Sequence, residues 1–197
     1  MSRRFDHVSI FGSGAFRAIE LHAQDILALQ EFFDSNPEYF LAVTGQPPGR
    51  EEGHDEFHDE VPDGMPYTRK WMIGFVDESD CVIGMASVIS DLLAKHVWHI
   101  GLFVVATSLH GSGAASAMHG QLETWMRGQG AQWIRLGVVE GNARAERFWE
   151  RAGYREVRKR RGVEMGARIN VIRVMAKPLA GGTLVDYLAR VARDRPE

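Results

Sequence analysis

The sequence has little cysteine, no excess of basic charge and no long apolar run. Its one cysteine, Cys81, excludes an internal disulfide and a thiolate metal cluster, and its apolar neighbours favour a packed core thiol. The 23 basic and 26 acidic side chains give a net charge of −3, which argues against a general nucleic-acid binder. The longest apolar stretch, residues 100–106, is far shorter than the roughly 20 residues that cross a bilayer, and residues 1–7 lack an apolar signal region. We therefore expect a cytoplasmic protein that binds neither nucleic acid nor membrane.

What is present is the composition of an ordinary globular chain, with 45% hydrophobic and 25% charged residues. Its length of 197 residues predicts one domain over residues 1–197, with a core at about 16–177 and a C-terminal helical extension at 178–197. Charge is unevenly distributed, because residues 1–66 carry −9, residues 67–139 carry 0 and residues 140–197 carry +6. This polarity suggests a cationic ligand near the first third of the chain and an anionic ligand toward the last.

Hydrophobic periodicity predicts alternating strands and helices. Strands are predicted at 16–22, 70–76, 81–89, 96–105, 133–139, 154–159 and 170–176, and helices at 24–33, at 114–126, after Asn142 and after Thr183. The glycine-containing segment 11–15 is predicted to be a loop, and the acidic segment 51–60 a solvated helix. This order indicates a mixed α/β (α+β) fold whose sheet is mostly antiparallel, with at least one parallel pair of neighbours.

One turn carries the clearest chemical signal. A buried-type strand runs into a turn that contains Gly111 and Gly113 and then into a helix with small first residues. Glycine permits close backbone approach, and the N–H groups of a first helical turn have no acceptor within the helix, so the turn can receive a phosphate. An ordinary tight turn would have the same residues. The spacing fits neither the P-loop nor the dinucleotide-binding pattern.

A second motif resolves this ambiguity. With the glycine turn, residues 140–154 resemble the GNAT acetyltransferase superfamily, matching its pattern at Gly113, Ala115, Asn142, Ala145, Gly153 and Tyr154. The resemblance implies a GNAT-like twisted sheet with flanking helices and parallel neighbours at a central splay. It also implies acetyl-CoA as co-substrate, bound by Phe103, Val104 and Val105 through their backbone and by His110, Gly111, Ser112, Gly113, Ala114, Ala115, Asn142, Ala145 and Trp149.

Two residues depart from the family pattern. His110 stands where the family usually has Arg or Gln, which matters little because backbone N–H groups hold the pyrophosphate. Trp149 stands where the family usually has the Tyr that protonates the departing thiolate, and an indole N–H does not ionise usefully. Trp149 is therefore either part of the cofactor site without an acid role or a core aromatic beside Phe148.

The resemblance also points to a catalytic base. The family often places a Glu on the strand before the pyrophosphate turn, and His99 occupies that position here. An imidazole with an ordinary pKa near 6.5 suits this role, although a histidine buried in a sheet is an equally good interpretation. His96, three residues away, should lie on the opposite strand face.

The acceptor is expected to be a small-molecule amine or a peptide amine, attracted by the acidic segment. A cleft open on both sides would suit a peptide, and one covered by residues 45–66 a small molecule. No metal is expected, because His54 and His58 lack a convincing third ligand. The sequence leaves open whether the protein forms a homodimer. The alternative function is a coenzyme A-binding sensor or partner-binding module without transferase activity.

Overall fold

The computed structural model describes residue 5, residues 7–179 and residues 181–196, apart from the side chain of Ser13. Its strands are β1 Ser9–Ser13, β2 Phe16–Glu20, β3 Arg69–Val76, β4 Val82–Ser90, β5 Val97–Val105, β6 Trp133–Val139, β7 Arg155–Met165 and β8 Arg168–Pro178. Its α-helices are α1 Ile26–Asp34, α2 Glu38–Val43, α3 Glu52–His58, α4 Ala114–Gly128, α5 Ala143–Arg151 and α6 Leu184–Arg190. Short 3₁₀ turns cover Ala23–Asp25, Thr107–Leu109 and Ala192–Asp194.

The strands form one sheet in the order β1-β2-β3-β4-β5-β6-β8-β7. Every neighbouring pair is antiparallel except β5 and β6, which are parallel. The mixed, mostly antiparallel sheet predicted from the sequence is therefore confirmed. The parallel pair is the one that a strand–helix–strand connection through α4 requires.

The parallel pair separates half-way along β5. Its ladder runs from Val97 opposite Trp133 to Ile100 opposite Leu136 and then stops, while β5 continues to Val105. Beyond that point β6 pairs only with β8. One edge of residues 101–105 in β5 is thus left without a strand neighbour, and this is the central splay that the family resemblance implies.

A β-bulge lies at the start of this splay. Ser87 of β4 lies opposite Leu102 and Val88 lies opposite Ile100, so Gly101 is an extra residue on β5. A bulge reverses which face the following side chains occupy. Before it, Trp98 and Ile100 pack in the cluster under α4, whereas after it Leu102 and Val104 pack in the cluster under α1.

Helices cover both faces of the sheet. On one face α4 buries Met118, Leu122 and Met126 against the strands, and α5 adds Trp149. On the other face α1 and α2 bury aromatic residues such as Phe33 and Phe40. The segment after β8 is packed on this second face as well, where Tyr187 and Val191 join Val97, Trp133 and Val174.

Local sequence signals explain the helix boundaries. The Asn142 side chain accepts a hydrogen bond from the Ala145 N–H at 3.3 Å, and Thr183 and Asp186 form a capping box. These caps satisfy backbone donors that a helix start leaves free, as the sequence predicted. The predicted helix at 51–60 is confirmed as α3, and α1 ends just before the Asn36–Pro37 pair.

Two sequence predictions differ from the structure, and one helix was missed. The segment 11–15 is not simply a loop, because Ser9–Ser13 pairs with β2 as an edge strand and only Gly14 and Ala15 turn. The prediction of a packed core thiol is wrong: Cys81 is exposed, since it ends the β3–β4 turn and β4 begins one residue later. Helix α2 was not predicted, because Pro37 and a short apolar run give too weak a helical signal.

Candidate active site

The turn after β5 offers free backbone donors. Gly111 and Gly113 have φ values of 81° and 90°, which are left-handed conformations suited to glycine. Among the residues that the structure describes, no protein acceptor lies within hydrogen-bond range of the N–H groups of Gly111, Gly113, Ala115 and Ser116. Open space also surrounds the position where a Cβ would stand at Gly111 and Gly113. This arrangement suits an anion at the start of α4, as the sequence predicted for a phosphate.

His110 links this turn to the second sequence motif. Its Nε2–H donates to the Val105 carbonyl at 3.1 Å, and its Nδ1 lies 2.6 Å from Nη1 of Arg144 on α5. The imidazole therefore does not present a free donor to the turn, contrary to the role considered from sequence. It instead places the Arg144 guanidinium beside the turn, and sequence reasoning missed this positive charge.

Ser112 and Ala114 complete the turn. The Ser112 hydroxyl donates a hydrogen bond to the Leu109 carbonyl at 2.7 Å. Its oxygen also accepts a hydrogen bond from the Ala114 N–H at 3.2 Å. Both residues therefore shape the turn through contacts within it. The N–H of Ala114 is occupied, unlike those of its neighbours Gly113 and Ala115.

The free edge of β5 has donors of its own. The Ala106 N–H is directed at β4, where it donates to the Ile83 carbonyl at 2.9 Å. Alternation along an antiparallel ladder then directs the Val104 N–H toward β4 as well, and those of Phe103 and Val105 toward the splay. Of the three residues predicted to act through their backbone, Phe103 and Val105 therefore present an N–H to the open side.

Trp149 lies in a buried aromatic cluster. Its ring centroid is 5.6 Å from that of Phe103, 5.3 Å from that of His119 and 5.1 Å from that of Tyr154. The Tyr154 hydroxyl lies 3.0 Å from Nε2 of His119, and burial lowers the pKa of His119 to about 4. Trp149 thus has the core position that the sequence left open, while its contact with Phe103 keeps it next to the splay.

A cavity of about 280 Å³ lies on the opposite face of the sheet from this cluster. Its floor is formed by β3 to β6, including the bulge residue Gly101, and its cover by α3 and the segment that follows, up to Met65. His99 lines it together with Glu56, Asp59 and Glu60, and on another side with Arg135, Arg160 and Arg193. Because Gly101 is the first residue beyond the β5–β6 ladder, the cavity adjoins the splay.

Glu56 in this cavity has a pKa near neutrality. Partial burial of its side chain raises the pKa to about 7, and repulsion from Asp59 and Glu52 raises it as well. Lys70 and a hydrogen bond from Ser87 act in the opposite direction and lower it. A carboxylate in this condition can accept a proton at pH 7, a property that the sequence analysis did not assign to Glu56 within the acidic segment.

His99 has the opposite character. Its Nδ1–H donates to the Arg135 carbonyl at 3.0 Å, which leaves Nε2 as an acceptor. Burial, with repulsion from the Arg135 guanidinium, lowers the pKa of His99 to about 3. The imidazole is therefore neutral at pH 7 and accepts hydrogen bonds, but its conjugate acid is far more acidic than the sequence argument assumed.

The other histidines raised by the sequence lie away from this chemistry. His96 is in the turn before β5 with φ 66°, and its Nδ1 contacts the Gly130 carbonyl at 3.0 Å. The exposed His54 and His58 rings on α3 have centroids 4.2 Å apart and are tilted by 34° to each other. Within the described part of the chain, no group of three or more His, Cys, Asp or Glu side chains is arranged to hold a metal ion. No helix there has the length and apolarity to cross a membrane.

Comparison with known proteins identifies this combination of features. The family model described as the acetyltransferase (GNAT) family matches residues 26–154, which include β3 to β6, the glycine turn and α5. No curated protein is similar enough to the chain to count as a match.

Solved structures share the fold at low sequence identity. A GCN5-related N-acetyltransferase from Kribbella flavida is 21% identical with a TM-score of 0.60, over 84% of this chain and 98% of that one. The ribosomal-protein-S18-alanine N-acetyltransferase from Escherichia coli is 16% identical with a TM-score of 0.62, over 84% and 95%. A spermidine N-acetyltransferase from Vibrio cholerae, in complex with CoA and spermine, is 14% identical with a TM-score of 0.62, over 83% and 95%.

Proposed function

Because the chain belongs to the acetyltransferase (GNAT) family, we propose that it moves an acetyl group from acetyl-CoA to a primary amine by direct transfer in a ternary complex. The observation that carries this proposal is the layout of one strand. β5 leads at its C-terminal end into a turn of free N–H groups, and Gly101 in the same strand lines a cavity with ionisable walls. Two reactants held at the two ends of one splay are close enough to react without a covalent enzyme intermediate.

The turn and α5 would hold the coenzyme A portion. The free backbone N–H groups of Gly111, Gly113, Ala115 and Ser116 suit the pyrophosphate, and Arg144 adds a positive charge beside them. Asn142 and Ala145 form the start of α5, and Trp149 packs behind Phe103. Acetyl-CoA supplies the thioester whose carbon–sulfur bond breaks as the new carbon–nitrogen bond forms. The splay-facing N–H of Phe103 or Val105 would donate to the thioester carbonyl oxygen and stabilise developing negative charge.

Glu56 is our first choice for the base. An alkyl amine reaches the cavity as an ammonium ion and must lose a proton before its nitrogen can attack. A carboxylate whose pKa is about 7 is ionised often enough to take that proton and basic enough to hold it. Lys70 does not block the carboxylate, because its Nζ donates to the backbone carbonyls of Glu56 at 2.9 Å and Asp59 at 2.7 Å.

His99, the base proposed from the sequence, keeps a second role in this scheme. With its pKa at about 3, the imidazole does not hold a proton near neutral pH. Its Nε2 can still accept a hydrogen bond from the amine or from a water that carries the proton to Glu56. We therefore propose that His99 orients the nucleophile.

The departing thiolate has no dedicated acid in this proposal. Trp149 occupies the usual position of the acid and cannot ionise usefully, and burial raises the pKa of nearby Tyr154 well above its ordinary value. We propose that the thiolate takes its proton from water. Cys81 offers no covalent route, because it lies exposed at the β3–β4 turn outside the cavity.

A small-molecule amine is the acceptor that the cavity suits better. The segment from Glu56 to Met65 lies over the sheet and forms one wall of the cavity. By the criterion applied to the sequence, a cleft covered by residues 45–66 favours a small molecule over an extended peptide. A volume of about 280 Å³ agrees with an acceptor of amino-acid size.

A thiol-release screen tests the proposal against a coenzyme A-binding protein without transferase activity, which Trp149 favours. The screen would cover simple amines, amino acids, aminoglycosides, polyamines and peptides, with acetyl-CoA and with longer acyl donors, and mass spectrometry would identify products. We expect at least one small amine to give one acetylated product per thiol released. Tight acetyl-CoA binding with no amine above the background rate would contradict transfer and support the binding protein.

A further inference from the structure

The acceptor cavity has walls of opposite charge. Glu56, Asp59 and Glu60 line it from α3 and the segment after it. Guanidinium groups line it from β6, from β7 and from the 3₁₀ turn near the C-terminus, at Arg135, Arg160 and Arg193. A site for an acceptor that carries only amines has no use for the second wall, because like charges would repel such an acceptor.

Arg135 is the buried member of the cationic wall, with 7% of its surface exposed. Its Nε and Nη2 donate to the two carboxylate oxygens of Asp194 at 2.7 Å and 3.2 Å. Its third nitrogen, Nη1, lies 3.4 Å from Nδ1 of His99. That ring nitrogen carries a hydrogen, because it donates to the Arg135 carbonyl, so it has no lone pair to offer. Nη1 is therefore not held by Asp194, and it belongs to a guanidinium that lines the cavity.

Arg160 and Arg193 lie at the exposed rim of the same wall. Neither forms an ion pair with a carboxylate of the described residues. The Asp194 carboxylate attracts the Arg160 guanidinium, but it is already bound to Arg135. Burial, followed by repulsion from Arg193 and Arg135, lowers the pKa of Arg160. Three guanidinium groups line one side of a small cavity, and Asp194 is the one carboxylate among the described residues that forms an ion pair with any of them, so this set of side chains carries a net positive charge.

The neighbouring residue on β7 provides an internal comparison. Arg161 follows Arg160 directly, is exposed, and does not line the cavity. The basic residues of β7 therefore do not share one environment, since Lys159 pairs with Glu140 while Arg160 lines the cavity. Arg160 is the member that faces the cavity.

From this arrangement we infer that the acceptor is a small amphoteric amine, whose carboxylate, phosphonate or phosphate binds Arg135, Arg160 and Arg193 while its amine lies at Glu56. The inference rests on the proposed function, because it takes this cavity as the acceptor site. Guanidinium groups match such oxyanions in planar, paired hydrogen bonds, which are stronger than those between neutral groups. The acidic wall then binds the ammonium end, so both walls of the cavity are used.

Matched pairs of acceptors test the inference in the thiol-release assay. Each α-amino or ω-amino acid would be compared with its amide, its methyl ester and its decarboxylated amine, and with the aminoalkylphosphonate and the amine phosphate ester of the same length. We expect an acid to exceed its amide, ester and decarboxylated partners in kcat/KM by about tenfold or more, the ratio given by one charge-assisted hydrogen-bond site. Comparing carboxylic acids with phosphonates and phosphate esters of equal length shows which kind of oxyanion the site binds. Equal or better turnover of the decarboxylated amines would overturn the inference.

Variants locate the anion on the protein. The double substitution Arg160→Gln with Arg193→Gln should raise the KM of the acidic acceptor about tenfold or more. It should not lower kcat/KM of the decarboxylated partner, because the guanidinium groups repel the ammonium of that acceptor. Arg161→Gln is the matched control, and both acceptors should behave with it as with the wild type. If the double variant leaves the ratio between the acid and its decarboxylated partner unchanged, the cationic wall does not bind the acceptor.

Equilibrium binding separates this inference from the proposed function. The same pairs would be titrated by calorimetry into the full-length protein saturated with coenzyme A, which requires no turnover. Tighter binding of the acid that is lost in the double variant supports the anion site, even where the screen finds no transfer and the transferase proposal fails. Equal binding of the acid and of its partners without the acid group overturns the anion site, even where transfer is found.

Discussion

Two ionisable side chains in one cavity have pKa values moved in opposite directions. Burial raises the pKa of Glu56 to about 7 and lowers that of His99 to about 3, because in each case the low-polarity surroundings disfavour the charged form. At neutral pH the pair therefore consists of a carboxylate that can take a proton and an imidazole that stays neutral. Such a separation is the usual way to distinguish the group that carries a proton from the group that positions a substrate.

Replacing His99 tests its role as a positioning residue. His99→Ala should reduce kcat about tenfold or more, while the affinity for acetyl-CoA and the pH at which the rate falls off stay unchanged. The pH profile is unaffected because His99 does not titrate near neutrality. His96→Ala, in the turn before β5, is the control. Steady-state thiol release measures both, and unchanged turnover in His99→Ala would remove His99 from the mechanism.

His119 should make the free energy of unfolding depend on pH. The imidazole is buried beside Tyr154, and its pKa is about 4 in the folded protein against about 6.5 in an unfolded chain. The unfolded state then binds more protons between these values, so stability is highest above pH 6.5 and falls by on the order of 3 kcal/mol as the pH drops to 4.

Urea unfolding at a series of pH values between 7 and 4 measures this effect. His119→Gln keeps a polar side chain beside the Tyr154 hydroxyl and should reduce the dependence to the part that buried His99 contributes, although it lowers stability at pH 7. The exposed histidine His58 provides the control His58→Gln, which should leave the wild-type slope in place. An unchanged slope in His119→Gln would show that other groups cause the acid sensitivity.

At the level of elements, β5 and the turn after it bring the site together. The bulge at Gly101 reverses the side-chain alternation, so His99 on the cavity side is followed by Phe103 on the α4 side. The same strand then loses its β6 neighbour and leads into the left-handed glycines. One strand thus borders the acceptor cavity and, beyond the splay, the proposed coenzyme A site.

The glycine turn yields a prediction for coenzyme A affinity. Gly113 has φ 90°, so Gly113→Ala should cost about 1–2 kcal/mol of stability or tilt the N–H groups away from the anion. We expect the Kd for acetyl-CoA to rise about tenfold or more, because several N–H groups lose their alignment together. The control is Gly120→Ala in the exposed middle of α4, which should stabilise the protein by about 0.5–1 kcal/mol.

Calorimetric titration with acetyl-CoA and urea unfolding give the two quantities. An unchanged Kd in Gly113→Ala, at whatever stability, would mean that the turn does not hold the pyrophosphate.

Sequence patterns predicted those elements whose signals are local. The apolar spacing of α4, the Asn142 cap and the glycine turn each lie within a few residues, and each was recognised. The bulge has no such signature, because a glycine also fits a regular strand position. Edge strand β1 was missed for a related reason: Gly12, where a Cβ would stand 2.9 Å from the Phe16 carbonyl oxygen, gives the segment the composition of a loop.

On the scale of the whole molecule, the acidic and the basic thirds of the chain both contribute side chains to one cavity. The acidic third contributes Glu56, Asp59 and Glu60, and the basic last third contributes Arg160 and Arg193. The sequence suggested instead that the basic third serves the anionic coenzyme. Nothing in the sequence indicated that these residues share a cavity, because they come together only when β8 pairs with β6, β7 pairs with β8, and the C-terminal segment packs on the sheet.

The C-terminal segment is anchored by a buried ion pair. Asp194 is 1% exposed and binds Arg135, and the Tyr187 hydroxyl donates to it at 2.5 Å. Asp194→Asn would leave the Arg135 charge buried without compensation, so we expect a loss of about 3–5 kcal/mol in the free energy of unfolding at pH 7. The control is Glu20→Gln, which breaks the exposed pair with Arg69 and should cost less than about 1 kcal/mol.

Urea unfolding compares the two variants with the wild type. The Asp194 pKa is lowered in the folded state, so this stabilisation is complete above the ordinary carboxyl range and is lost as the pH falls through the lowered value. A cost in Asp194→Asn no larger than that in Glu20→Gln would show that the segment is held by apolar packing alone.

The central claim is that an amine loses its proton to Glu56 in the cavity beside the splay. Its most direct test is the pH dependence of kcat/KM for wild type and Glu56→Gln, measured by thiol release with the best acceptor from the screen. We predict that the wild-type rate falls with a limb near pH 7, where Glu56 becomes protonated, and that Glu56→Gln is slower by about 100-fold or more and lacks that limb. A Glu56→Gln enzyme with the wild-type rate and the same limb would contradict the account.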